Sequence, residues 1–233
     1  MFKRVIIKLS GEALAGNKKN FDDTIINEIL MDIKECINNN VEVSIVIGGG
    51  NFWRGRSADS NMDRTIADEI GMLATCMNGL YVADYFKRNG CYAKVFTPFT
   101  VGTFTTEFSK EEALKVMKNK GVNIFVGGVG HPFFSTDTIT ALRAAELDCD
   151  CILYAKNIDG IYNKDPNKYE DAKKYDIITY SEIIKNNLQA IDISAMNLSM
   201  SQNINSLVFK LGTKSSIFNA VLEKSENCTK ITN

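Results

Sequence analysis

The chain has 233 residues, 27 basic and 28 acidic side chains, and a formal net charge of -1. That length suits one large α/β domain or two tightly joined halves with a sizeable core. The charge balance gives no support for nucleic-acid binding, and no apolar run approaches the roughly 18 residues of a membrane-spanning helix.

Phe2 to Leu9 reads as a first strand, with Lys8 at its carboxyl end and Ser10-Gly11-Glu12 after it. Its apolar run is too short and interrupted for a signal peptide, so a cytoplasmic location is the expectation. A lysine ending a buried strand is costly unless something anionic meets it. The small residues that follow leave backbone N–H groups free to cradle oxygens. The alternative is a lysine that snorkels to the sheet edge. Gly11 to Lys18 nearly matches a Walker A loop, but Asn17 stands where its lysine belongs and no Ser or Thr follows, so a P-loop is rejected.

Asp22 to Asn40 has apolar residues at helical spacing, with Asp22 or Asp23 as cap. Val43 to Ile47 then forms an apolar run ending at Gly48-Gly49-Gly50, which completes a βαβ unit. Three glycines at a strand end allow close approach to a ligand and positive φ. Arg54 adds a cation whose fork suits phosphate or carboxylate. A glycine-rich turn with a solvated arginine fits the same residues. Met62 to Asn89 reads as one long helix or two joined ones. In it Asp68 is either a ligand carboxylate or an ordinary solvated one.

Cys91 to Phe96 reads as a short strand, and Pro98 to Phe108 has no clean period. Ser109 and Glu112 have capping-box spacing for a helix to Lys120. Val122 to Val126 is a buried strand that opens into a second glycine-rich stretch, Gly127 to Asp137. A helix from Thr138 to Leu147 follows, and its N-terminus, with Ser135, Thr136 and Asp137 around it, suits an anion. His131, the only histidine, reads as a loop residue lining or flanking the pocket and not as a general base. After a strand at Cys151 to Ala155, Asp159-Gly160 marks a turn. Tyr162 and Asp165 beyond it could hold a purine and its ribose, or belong to a surface hairpin. Helices at Tyr180 to Asn187 and Ile193 to Asn203 flank Asp192. A strand at Leu207 to Leu211 and a helix at Ser215 to Glu223 come last, and the polar tail from Ser225 is expected to fray. The six cysteines, Cys36, Cys76, Cys91, Cys149, Cys151 and Cys228, form no CxxC pair and read as buried free thiols.

Strands alternating with helices give an α/β fold with a largely parallel, doubly covered sheet. Two glycine loops, Lys8, Lys156, Arg54 and several carboxylates gather at strand ends, and no Cys–His or Ser–His–Asp arrangement is evident. Phosphoryl transfer suits this set, since it needs positioning and cancellation of charge more than a protein nucleophile.

The motifs KLSGEAL (Lys8 to Leu14), IGGGNFWRG (Ile47 to Gly55), MDRTIADEIGMLAT (Met62 to Thr75), GHPFFSTD (Gly130 to Asp137), IDGIYNKDP (Ile158 to Pro166) and AIDISA (Ala190 to Ala195) resemble the bacterial-type UMP kinases of the amino-acid kinase superfamily. Their order and spacing agree over nearly the whole chain. The resemblance implies a three-layer αβα sandwich with a mainly parallel central sheet and transfer of a phosphoryl group from ATP to UMP, with Mg²⁺ accompanying ATP. It also implies a homohexamer, inhibition by UTP and, in many members, activation by GTP. One domain, 1–233, would hold an N-terminal phosphate-acceptor half (about 1–147) and a C-terminal ATP-binding half (about 148–233).

Carried over by position, Lys8, Leu9, Ser10, Gly11, Gly50, Arg54, Lys156, Asn157, Tyr162 and Asp165 would serve ATP. Gly49, Asp68, Val129, Gly130, His131, Pro132, Phe133, Phe134, Ser135 and Thr136 would serve UMP, with Asp68 on the ribose hydroxyls. Lys8, Arg54, Asp137 and Asp192 would be catalytic. Lys8 would bridge toward the transferred group, Asp137 would orient the lysines, and Asp192 would sit near the metal or the phosphates. No dedicated metal-ligand set is expected. Val129 and His131 stand where the family has Thr and Asn; a hydrogen bond lost in a buried site is worth about 1–3 kcal/mol. The loop Gly16 to Asn20, tied in the family to GTP, is short, and Phe96 to Phe108 matches poorly. Two other readings remain beside this one. A carboxylate kinase of the same superfamily would not need Asp68. A non-catalytic nucleotide- or oxyanion-binding assembly protein would not need Lys8, Arg54 and Asp137 intact.

Overall fold

The computed structural model describes residues 1–53, 61–212, 215–225 and 227–233. Its strands are β1 (Arg4–Leu9), β2 (Glu42–Ile47), β3 (Ala93–Thr97), β4 (Thr106–Glu107), β5 (Val122–Phe125), β6 (Cys151–Lys156), β7 (Ile161–Tyr162), β8 (Lys174–Tyr175), β9 (Ile177–Thr179), β10 (Asn205–Lys210) and β11 (Cys228–Thr232). Its helices are α1 (Gly11–Ala15), α2 (Asp23–Asn38), α3 (Arg64–Arg88), α4 (Lys110–Lys118), α5 (Thr136–Glu146), α6 (Tyr180–Lys185), α7 (Ile193–Ser201) and α8 (Ser216–Val221). Among the described residues one sheet runs in the order β4-β3-β5-β2-β1-β6-β10-β11-β9, and β7 and β8 pair apart from it. Neighbouring strands of the large sheet are parallel except β10 and β11.

Side chains alternate across the pleat, so each strand feeds two cores. Val5, Ile7 and Leu9 of β1 pack with α2, α3 and α8, while Ile6 packs with α4, α5, α6 and α7. This is the three-layer α/β sandwich with a mainly parallel sheet that the sequence implied. β1 lies between β2 and β6, so its carboxyl end falls inside the sheet, where such folds place ligands.

Several local expectations need correction. The tail does not fray: Cys228–Thr232 pairs antiparallel with β10 and parallel with β9, with Thr229 and Ile231 fully buried. The small residues after Lys8 open a short helix that the sequence did not indicate: Ser10 caps α1, its Oγ accepting from Ala13 N–H at 3.1 Å. Ser109 accepts from Glu112 N–H, but the Glu112 carboxylate turns to Lys94 Nζ at 3.1 Å and not back to the cap. The capping box closes instead at Thr179 and Glu182. α5 begins at Thr136, two residues early, because Ser135 accepts from Thr138 N–H and caps it. α3 is one continuous helix of 25 residues, and Asp22, not Asp23, caps α2. The cysteines are free, and all but the half-buried Cys228 are buried. Burial pushes the Cys36 and Cys149 thiols up to about 12, which leaves no thiolate for chemistry near neutral pH. Among the described residues no helix is long and apolar enough to cross a membrane.

Candidate active site

Lys8 shares the α5 face of the sheet with Ile6. Its register neighbours are Val46 on β2 and Tyr154 on β6, continued by Phe125 and Val208. A cation in so apolar a row requires a counter-charge. Asp137, in the first turn of α5, provides it, with Oδ1 at 3.2 Å from Lys8 Nζ. That contact is ionic without hydrogen-bond geometry, since Asp137 Oδ1 is buried and makes no hydrogen bond. Asp137 Oδ2 accepts from the backbone N–H of Asp192 at 3.3 Å. Asp192 is the N-cap of α7, its side chain accepting from Ser194 N–H at 2.9 Å. The N-termini of α5 and α7 are thereby joined beside Lys8. Lys156, at the end of β6, donates to the Ala190 carbonyl. Burial pushes its pKa down, opposed by the negative charge of Asp137 and reinforced by Lys8.

Both glycine loops are held by α3 through polar residues in the helix interior. Asn78, fully buried, donates to the Gly48 carbonyl at 2.7 Å and exchanges amide hydrogen bonds with Asn51. Thr75 Oγ1 accepts from Gly127 N–H at 2.6 Å and donates to the Met72 carbonyl. Sequence reasoning passed over both residues. The signal available was a buried-looking helix carrying Thr and Asn three residues apart, at i and i+3 on one face. Gly48, Gly49 and Gly50 are absent from the positive-φ glycines, whereas Gly127, Gly128 and Gly130 have φ of 78°, 57° and 85°. In the first loop, then, glycine serves close approach and not a left-handed backbone.

These elements wall a cleft of about 350 Å³. Of the expected residues, Lys8, Ser10, Gly11, Gly49, Gly50, Asp68, His131, Phe133, Phe134, Ser135, Thr136, Asp137 and Asp192 line it. Leu9 is fully buried in the core, and Val129 packs against the α5-side core. Glu12, Trp53, Arg64 and Met72 also line the cleft and were not singled out from sequence. Asp68 Oδ2 accepts from the Phe133 backbone N–H at 2.9 Å, so the carboxylate ties α3 to the second glycine stretch. Arg54 lies outside the described residues. A second cleft of about 520 Å³ is lined by Lys156, Tyr162 and Asp165 together with Lys164, Asn187 and Val208. Tyr162 donates to Asp159 Oδ1 at 2.7 Å, and Asp165 Oδ1 accepts from Asn167 N–H at 3.0 Å. Lys156 and its acceptor Ala190 line the second cleft, and Asp192, two residues on, lines the first, so the two clefts adjoin beside Lys156.

A cation–carboxylate pair at the end of a central strand, flanked by two glycine loops and a helix N-terminus and set between two adjoining clefts, is built to hold a highly charged anion across both. Residues 3–210 match the Amino acid kinase family, and the chain belongs to that family. A uridylate kinase of Mycoplasmopsis pulmonis (strain UAB CTIP) is 43% identical over 238 residues, covering 100% of this chain and 98% of that protein. The crystal structure of UMP kinase from Ureaplasma parvum superposes with a TM-score of 0.93 at 36% identity, covering 100% of both chains. UMP kinase from Bacillus anthracis gives a TM-score of 0.93 at 33% identity, covering 99% of this chain and 96% of that one.

Proposed function

We propose that this chain is a UMP kinase, which transfers the γ-phosphoryl group of ATP to UMP and forms UDP. The observation that carries this is the Lys8–Asp137 pair at the junction of two clefts, one lined by both glycine loops and Asp68, the other by Tyr162 and Asp165. The first cleft takes UMP, with Asp68 on the ribose. The second takes the adenine nucleotide, whose phosphates reach Lys8 past Lys156. The acceptor half is then about 1–147 and the ATP half about 148–233, as two parts of one domain. Lys8 spreads its charge over the transferred group, and Asp137 and the carbonyl of Ala190 orient the two lysines. The free N–H groups at the start of α5 add anion stabilisation. Arg54 belongs to the same proposal.

Mg²⁺ accompanies ATP in this reading. Such an ion needs only one or two carboxylates besides the phosphates. Asp192, which caps α7 and lines the first cleft, fits that need, while Asp137 faces Lys8. The ion would supply neutralisation of phosphate charge. Among the described residues no group of three or more potential ligands forms an all-protein site.

A cytoplasmic homohexamer, inhibition by UTP and a response to GTP are further parts of the proposal. Ile66, Leu73 and Met77 form an exposed apolar stripe along α3, which supports self-association. Gly16 to Asn20 is wholly exposed. ADP release with Mg-ATP and each of UMP, CMP, dUMP, aspartate and N-acetylglutamate tests the reading. Turnover with UMP is expected. Turnover with CMP as well would locate relaxed choice around Val129 and His131. Turnover only with a carboxylate would overturn the proposal in favour of a carboxylate kinase.

A further inference from the structure

Lys8 and Tyr154 are register partners on β1 and β6, in a row that runs Phe125, Val46, Lys8, Tyr154, Val208 across the sheet. Tyr154 is fully buried and packs in the α5-side core. Neighbouring strands lie about 4.8 Å apart, so its ring stands beside the Lys8 stem. Apart from Lys8 it is the only polar member of the row, and phenylalanine would fill nearly the same volume. A hydroxyl buried without a hydrogen bond costs stability, so its presence calls for a partner.

Among the described residues the Tyr154 hydroxyl makes no hydrogen bond, and neither does the buried Oδ1 of Asp137. The first is a donor without an acceptor, the second an acceptor without a donor. Lys8 is common to both, as the register partner of Tyr154 and with its Nζ at 3.2 Å from Asp137 Oδ1. Other polar groups of the region are engaged. Asp137 Oδ2 accepts from Asp192 N–H, Asp192 caps α7, and the Tyr180 hydroxyl is bonded to the Ile204 carbonyl and to Ser206. The other buried hydroxyl without a partner, that of Ser199, lies near the C-terminal end of α7, away from Asp192. Burial, and then the negative charge of Asp137, push the Tyr154 pKa well above the ordinary tyrosine value, so the phenol keeps its proton to donate.

We propose that Tyr154 is a positioning residue whose hydroxyl donates to Asp137 Oδ1, after a small turn of the carboxylate or through one ordered water, and so fixes where Asp137 holds Lys8. The inference rests on the UMP-kinase reading and adds to it a support for the lysine that meets the transferred group. With its Oδ1 satisfied by the phenol, Asp137 holds Lys8 by charge alone. The ammonium N–H groups then stay available to phosphoryl oxygens. Tyr154 lines neither cleft, so its hydroxyl acts on turnover and not on nucleotide binding.

Tyr154→Phe removes that hydroxyl and little else. In steady-state ADP release with Mg-ATP and UMP, its kcat should fall about ten-fold, with the KM values for UMP and ATP nearly unchanged. Added to Asp137→Ala, the same substitution should lower kcat little further, because the two residues act as a unit. Urea unfolding of the same chains gives a second readout. Tyr154→Phe should lower the urea midpoint in the wild type and raise it in Asp137→Ala, where the hydroxyl has lost its acceptor. An unchanged kcat with a raised midpoint in both backgrounds would overturn the inference, and so would a change of sign produced by Ser199→Ala and not by Asp137→Ala. Either result leaves the UMP-kinase reading standing. A wild-type chain that releases no ADP with UMP would overturn that reading, and the urea cycle would still decide whether Tyr154 and Asp137 are joined.

Discussion

Gly48–Gly50 after β2 and Gly127–Gly130 after β5 both end a buried parallel strand, and α3 grips both, through Asn78 and Thr75. They need glycine for different reasons. In the first loop the chain at Gly49, and at Gly11 beside it, passes so close to neighbouring backbone that no side chain fits. A Cβ on Gly49 would lie 2.9 Å from the Gly71 carbonyl oxygen and 3.0 Å from Ala74 Cβ, and one on Gly11 would lie 2.7 Å from Gly50 N. In the second loop the backbone itself is left-handed. A Cβ on Gly128 would meet nothing nearer than Met72 Cγ at 3.6 Å, yet φ there is 57°. Glycine-rich stretches that look alike in sequence thus meet two separate requirements, close packing against a helix and a conformation that L side chains avoid.

Three substitutions can break that division. The largest expected effect is from Gly49→Ala. The obstructing atoms belong to the α3 backbone and to a buried alanine, so urea unfolding should show a loss of about 3 kcal/mol. Next is Thr75→Val, which keeps the shape and removes the acceptor for Gly127 N–H. A loss of about 2 kcal/mol is expected, and Thr75→Ser, which retains the hydroxyl, should recover most of it. Smallest is Gly128→Ala, where only backbone strain is added, about 1 kcal/mol. Gly128→Asn should cost less than Gly128→Ala because asparagine tolerates the left-handed region. If Gly128→Ala destabilised the protein more than Gly49→Ala, or if Gly49→Asn were milder than Gly49→Ala, the two loops would not differ in the way described.

The alternation of strands and helices was legible because each buried strand is a continuous apolar run and α2 has a clean helical period. Lys8 was legible too, as a charge at the end of such a run. The face it uses was not, because facing depends on the pleat, and its partner Asp137 is 129 positions further along the chain. β11 was missed although Cys228 to Thr232 alternates buried and half-buried residues. Its inward residues include Thr229, whose hydroxyl is satisfied by accepting from Ile161 N–H and donating to the Tyr175 carbonyl, so hydrophobicity alone gave a weak period. The capping boxes show the same limit. Ser109/Glu112 and Thr179/Glu182 have equal spacing, and a lysine on β3, remote in sequence, decides that only the second closes. Asn78 and Thr75 were overlooked because a polar residue within a helix reads as solvated until the loop it holds is known.

The assignment of acceptor and donor to separate clefts is the central claim, and Asp68→Asn tests it most directly. Steady-state ADP release should show the KM for UMP rising about ten-fold or more, the loss expected for a charged hydrogen-bond partner in a binding site, with the KM for ATP nearly unchanged. An unchanged dependence on UMP, or an equal rise in both constants, would contradict the account.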